Sequence, residues 1–202
     1  MEKMKTIVAA FDFDGTVSYF DTLVPFLWST AGTMKTAKNL ACLIPPFIRF
    51  INNRDLRQET KEQLLKEFLS GKEYGDLAAC GTNYAKGLLN RFIKPEALER
   101  IAWHKKQNHT LVLISANLKL YLEPWGKMNS FDHILSSELE FDHKGQATGK
   151  LKGKNCWGQE KVIRLTELLG SKENYILYAY GNSRGDQELL NLADYSFYRT
   201  FQ

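Results

Sequence analysis

Two aspartates one residue apart, Asp12 and Asp14, stand at the end of an apolar run and are followed at once by Gly15 and Thr16. Carboxylates this close share a proton or bind a cation, so the pair suits proton transfer, nucleophilic attack or the holding of a hard metal ion. The run ahead of them, residues 6–11, is too short for a helix and carries β-branched and aromatic side chains, which predicts a buried parallel strand. Open α/β sheets place their chemistry at the carboxyl ends of such strands. Taken alone, the hexapeptide Phe11-Asp12-Phe13-Asp14-Gly15-Thr16 also suits a calcium-type turn or a solvated loop, and the rest of the chain has to supply its partners.

Two further apolar runs supply them. Residues 110–114 form the second, with the polar tip Ser115-Ala116-Asn117; residues 175–180 form the third, closed by Gly181-Asn182-Ser183-Arg184-Gly185-Asp186. Lys161 lies near the start of a helix predicted over residues 159–169, a further helix is predicted over 187–192, and residues 196–199 add an edge strand. Strand and helix alternating in this rhythm predict an α/β fold, a Rossmann-like doubly wound parallel sheet. Such strand ends offer what phosphoryl transfer needs. Asp12 can attack phosphorus to give an aspartyl-phosphate, and Asp14 can protonate the leaving oxygen and later take a proton from water. Ser115, Lys161 and backbone N–H groups can hold the phosphoryl oxygens, while Mg²⁺ needs only one or two carboxylates and a backbone carbonyl. No Walker-type glycine-rich loop is present.

The hexapeptide resembles the first motif, Asp-x-Asp-Gly-Thr, of the haloacid dehalogenase superfamily of phosphohydrolases, and the resemblance extends over four motifs in order along nearly the whole chain. It implies Asp12 as nucleophile, Asp14 as acid/base, Ser115 as the motif II hydroxyl and Lys161 as the motif III lysine. It implies Mg²⁺ as cofactor, held by Asp12, Asp14, Asn182 and Asp186, and substrate contacts from Thr16, Asp21, Ser115, Ala116, Asn117 and Lys161. The fourth motif departs from the family pattern Gly-Asp-x-x-x-Asp: Asn182 puts a neutral amide where the main metal-binding carboxylate is expected, so weaker metal binding is implied. Thr148-Gly149-Lys150-Leu151 and the stretch from Asn155 to Val162 resemble subfamily IB, which includes phosphoserine phosphatase and phosphatidylglycerophosphatase C-like proteins. Asp21 falls where phosphoserine phosphatase-like enzymes carry an acidic residue for the substrate's amino group; it also suits a cap for the helix that follows.

Residues 19–91 contain no strand-like alternation. Helices are expected over 22–29, 34–50, 55–69 and 74–89, punctuated by Gly32, Asn52-Asn53 and Ser70-Gly71. This reads as an all-helical cap of type 1 inserted into a core made of residues 1–18 and 92–202. A helix opening at Pro95 carries Leu98, Ile101 and Ala102 on one face, and residues 131–151 hold a short strand pair around Asp142-His143-Lys144-Gly145. Within the cap, residues 40–50 form an apolar patch framed by Lys35, Lys38, Arg49, Arg54 and Arg57. It falls far short of the roughly 20 residues of a membrane span. It packs within the cap, or it makes a weak membrane-surface contact or receives a lipid chain.

The chain of 202 residues suits one α/β domain with an insertion, and 44% hydrophobic and 25% charged residues exclude disorder. A net charge of +4, from 27 Lys and Arg against 23 Asp and Glu, favours anionic partners without arguing for nucleic acid. Cys42, Cys80 and Cys156 have neither disulfide nor zinc spacing, which reads as a reducing cytoplasm, at most peripheral to the inner face of a membrane. The histidines read as surface or turn residues, and the tryptophans as core anchors, with Trp28 a further candidate for substrate contact. Two functions follow: a Mg²⁺-dependent phosphomonoester hydrolase whose substrate is a lipid phosphate or a small amino-phosphate, or a catalytically impaired regulatory or membrane-surface protein on the same fold.

Overall fold

The computed structural model describes residues 5–30 and 57–202. The expected helix over 34–50, the apolar patch 40–50 and Cys42 lie outside the described residues. Five parallel strands form the central sheet in the order β3-β2-β1-β6-β7: β1 (Thr6–Phe11), β2 (Thr110–Leu118), β3 (His133–Ser137), β6 (Tyr175–Gly181) and β7 (Tyr195–Tyr198). Between β3 and β6 a second, antiparallel pair is made by β4 (Leu139–Phe141) and β5 (Ala147–Leu151).

The apolar runs become central strands because both their faces are covered. Val8 and Ala10 point into one cluster with Val112, Ile114, Leu177 and Ala179, closed by Leu165 of α6 (Gln159–Leu169) and Leu189 of α7 (Gln187–Leu192). Ala9 and Phe11 point into the other cluster, with Leu111, Leu113 and Tyr180. There Phe11 stacks on Tyr180 at 4.4 Å and meets Phe131 edge-on at 5.9 Å. This face is covered by α4 (Pro95–Lys106) and α5 (Lys119–Met128). In α4 the buried residues are Ala97, Ile101 and His104, while Leu98 and Ala102 face outward, one step round the helix from the expected stripe. His104 is no surface residue: it is fully buried, with Nε2 2.8 Å from Tyr180 Oη and Nδ1 2.7 Å from His109 Nδ1. Burial holds it neutral, its pKa pushed down to about 3.

Between β1 and α4 the described residues form α1 (Leu23–Thr30), α2 (Arg57–Leu69) and α3 (Tyr74–Lys86). The chain leaves and returns side by side, Ser18 bridging Ile93, with Tyr19 N–H donating to Phe92 O and Lys94 N–H to Val17 O, both at 2.9 Å. α3 packs on α1 through Tyr84 and Phe26, 5.5 Å apart. α2 lies along β5, where Gly149 (φ +82°) passes so close that a Cβ there would fall 2.3 Å from Lys66 Cα. The contact is hydrogen-bonded as well, Leu151 N–H to Glu62 Oε1 at 3.2 Å and Asn155 N–H to Gln58 Oε1 at 3.3 Å. Residues 131–151 hold one strand more than expected, because β3 joins the parallel sheet before the antiparallel pair begins. No helix among the described residues is long and apolar enough to cross a membrane.

Candidate active site

Sheet register decides which side chains meet. Phe11 is level with Leu113 of β2 and Tyr180 of β6, and the Asp12 N–H continues the ladder to Tyr180 O at 3.0 Å. The segments that follow these residues converge on one cavity of about 360 Å³. Asp12, Asp14, Asp21, Ser115, Ala116, Asn117, Lys161, Asn182 and Asp186 all line it, joined by Tyr19, Phe20, Lys61, Asn155 and Trp157.

Lys161, in the first turn of α6, is 1% exposed and donates to Asp12 Oδ1 at 2.7 Å and Asp186 Oδ1 at 2.6 Å. One ammonium thus lies between two buried carboxylates. Burial lowers its pKa, but Asp12 and Asp186 outweigh burial and raise it above the ordinary lysine range. Asp12 itself is pushed up to about 6 by burial, with Lys161 opposing and Asp186 adding, so it is ionised at neutral pH. Asp186 also faces burial, yet Lys161 and Ser183 hold it below the usual carboxylate range. Its Oδ2 accepts from the Ser183 hydroxyl at 2.8 Å and amide at 2.9 Å, closing the turn after β6.

Asp14 is half-buried, and burial of its carboxyl, with Asp21 and Asp12 adding, raises it well above its ordinary pKa. Its Oδ1 accepts from the Thr22 amide at 3.0 Å and hydroxyl at 2.7 Å, and its Oδ2 from Asn117 Nδ2. Asn117, expected as a substrate contact, therefore has its amide on Asp14. Thr16, expected likewise, does not line the cavity; its hydroxyl donates to Asp12 Oδ2 at 2.8 Å. Asp21 faces the cavity and also accepts the Leu23 N–H at 2.9 Å, so its carboxylate opens α1 as well.

Gly15 has φ +73°, and a Cβ there would fall 2.0 Å from Asn182 Nδ2, so only glycine allows the loops after β1 and β6 this approach. Asn182 Oδ1 is buried with no hydrogen-bond partner. An orphaned carbonyl oxygen in the cavity that Asp12 also lines fits a hard cation that prefers oxygen donors and keeps several waters. No three carboxylate, imidazole or thiol side chains form a metal cage among the described residues.

Sequence reasoning passed over Lys61 of α2, 3% exposed, whose Nζ donates to Ala116 O and to Asn155 Oδ1 at 3.2 Å. Burial pushes its pKa down to about 8 against the pull of Asp21 and Asp14. A signal was present: Lys61 lies three and four residues before Leu64 and Leu65, on the buried stripe of the helix. Trp28 is 47% exposed and away from the cavity, whereas Trp157 lines it, its indole against Gly185.

A family model described as haloacid dehalogenase-like hydrolase matches residues 9–191. The chain belongs to this family. Protein CicA of Caulobacter vibrioides is 29% identical to the chain over 196 residues, covering 97% of this chain and 87% of the relative. A crystal structure of a protein of unknown function from Bordetella pertussis Tohama I superposes with a TM-score of 0.82 at 18% identity, over 93% of this chain and 87% of that one. A substrate-bound phosphoserine phosphatase complex does so with a TM-score of 0.62 at 13% identity, over 94% and 84%. These two structures share the haloacid dehalogenase-like fold.

Proposed function

We propose that the protein is a Mg²⁺-dependent phosphomonoester hydrolase acting through an aspartyl-phosphate on Asp12, in the phosphoserine phosphatase-like subfamily IB. The observation that carries this reading is the ammonium of Lys161 bridging Asp12 and Asp186 beside a cavity that Asp14 also lines. Asp12, the Asp14 main chain, Asn182 and Asp186 would hold Mg²⁺, which when bound neutralises charge between Asp12 and an anionic phosphate. An Asp12 oxygen attacks phosphorus as the bond to the leaving oxygen breaks. Asp14, whose pKa burial and the neighbouring Asp21 and Asp12 raise well above the ordinary carboxylate value, gives that oxygen its proton. Water then attacks the phosphorus and passes a proton to Asp14, and Asp12 is released. Ser115 and Lys161 hold the phosphoryl oxygens throughout.

The leaving group faces Tyr19, Phe20, Asp21 and Lys61, a wall that is both aromatic and charged. It accommodates an amino-phosphate or the polar end of a lipid phosphate. The test is phosphate release from an aryl phosphate with Mg²⁺. Turnover falls to background in EDTA and in Asp12→Asn; an Asp12→Asn protein that keeps its turnover would falsify the mechanism. Asn182 supports a second reading, a metal-impaired regulatory protein on the same fold. An inert wild type awakened by Asn182→Asp would decide for that one.

A further inference from the structure

We propose that Thr22, Asn117 and Tyr121 form a clamp that sets the direction of the Asp14 carboxyl, and that Tyr121, which does not line the cavity, is a positioning residue acting through Thr22. The proposal rests on the phosphatase reading above, in which Asp14 delivers a proton to the leaving oxygen. Asp14 stands in extended backbone (φ −71°, ψ 123°) just ahead of Gly15, on a loop that by itself leaves both side-chain torsions free. Donors from two other segments remove that freedom. Thr22 contributes its amide and hydroxyl to Oδ1, and Asn117, near the end of β2, contributes its amide nitrogen to Oδ2.

Thr22 is itself held on several sides. Its hydroxyl oxygen lies 3.2 Å from Tyr121 Oη and 3.3 Å from Asn117 Nδ2, and its carbonyl accepts from Tyr84 Oη at 3.0 Å. Thr22 and Tyr121 are fully buried, and Asn117 is 4% exposed. The Tyr121 ring is fixed between Phe26, 4.8 Å away, and Tyr84, 5.4 Å away. The inserted helices supply Tyr84 and Thr22 opens them, while Asn117 and Tyr121 come from the sheet side. The acid is therefore aimed where the two parts of the molecule meet. A general acid works only within hydrogen-bond reach of the oxygen it protonates, so a carboxyl that turns away loses its effect while substrate still binds.

Leaving-group chemistry separates this role from a structural one. An alkyl phosphate, whose leaving alkoxide needs a proton, is compared with p-nitrophenyl phosphate, whose phenolate leaves without one. Tyr121→Phe removes one oxygen and keeps the packed ring. It is expected to lower kcat on glycerol phosphate about tenfold, the scale of one lost hydrogen bond, with KM within about twofold. The pre-steady-state burst of nitrophenolate, which reports attack by Asp12 alone, stays within about twofold of wild type. Asn117→Leu, similar in volume, raises the aryl-to-alkyl ratio in the same direction; should it not fold, Tyr121→Phe decides alone. A folded Tyr121→Phe with the wild-type ratio would overturn the clamp and leave the phosphatase reading standing. A wild type inert on both esters would overturn that reading and the clamp with it.

Discussion

Lys161 and Lys61 are buried against the same cavity, 1% and 3% exposed, yet their surroundings drive them in opposite directions. Lys161 sits between two carboxylates at ion-pair distance, so its charge is held more firmly than in water. Lys61 donates to a carbonyl and an amide oxygen and has its pKa pushed down to about 8. Burial is common to both, and the difference is whether a formal negative charge lies within bonding distance. Lys161 is thus a fixed cation. Lys61 is a polar contact between α2 and the end of β2 whose charge responds to conditions close to neutral.

The largest expected effect that tests this contrast is on stability. Lys161→Met leaves Asp12 and Asp186 buried without their cation and is expected to cost about 3–5 kcal/mol in urea unfolding. Lys61→Met removes a cation with no carboxylate at ion-pair distance among the described residues and is expected to fall within about 1 kcal/mol of wild type. Equal losses would erase the distinction.

A second effect is the dependence on pH. For Lys61 the folded pKa lies below the unfolded one, so between about pH 8 and the ordinary lysine value the unfolded chain binds the extra proton. Its contribution to stability therefore rises with pH across that window, at up to about 1.4 kcal/mol per pH unit. Lys161 has the opposite sign: its contribution is fully present below the ordinary lysine range and is lost only as pH climbs beyond it. Unfolding curves from pH 7.5 to 10 should show a shallower rise, or a steeper fall, in Lys61→Met than in wild type. Identical slopes would place the Lys61 pKa at its ordinary value.

The smallest effect sharpens the Lys161 side. Asn182→Asp adds a carboxylate where the wild type has an orphaned amide oxygen. It is expected to tighten the apparent Mg²⁺ affinity about tenfold, read from the metal dependence of phosphate release, since affinity follows ligand charge. No change would mean that residue 182 does not touch the metal.

Much of the architecture was legible because it is written in continuous apolar runs. Residues 6–11, 110–114 and 175–180 have no reading in a chain of this length other than strands covered on both faces, and β1, β2 and β6 begin where those runs begin. The helices over 159–169 and 187–192 fall where capping and periodicity put them. β3 was less legible: His133-Ile-Leu-Ser-Ser is short and half polar, and it lies at the edge of the sheet, paired with β2 alone. At the cavity, residues lying in motifs at strand ends could be named from sequence because the sheet brings such ends together. Lys61, Asn155 and Trp157 could not, since their places depend on how α2 and the loop before α6 pack. His104 shows the same limit: a polar residue late in a helix reads as exposed unless its partner, here Tyr180 some seventy residues on, is known.

The close passage of Gly149 beneath Lys66 bears on how a substrate gets in. Along that side α2 is fastened to β5 and the loop after it through Gln58, Lys61 and Glu62, and just beyond the helix Gly71 N–H donates to Ala147 O and Ala147 N–H to Lys72 O, both at 2.9 Å. Lifting the helix there would unzip all of these bonds at once. Tyr19 and Phe20, on the cavity wall, are about half exposed and belong to the segment that leaves β1 beside Phe92. Among the described residues the exposed edge of the cavity is therefore aromatic, and under the proposed phosphatase reading a bulky tail on the ester would trail out past those two rings.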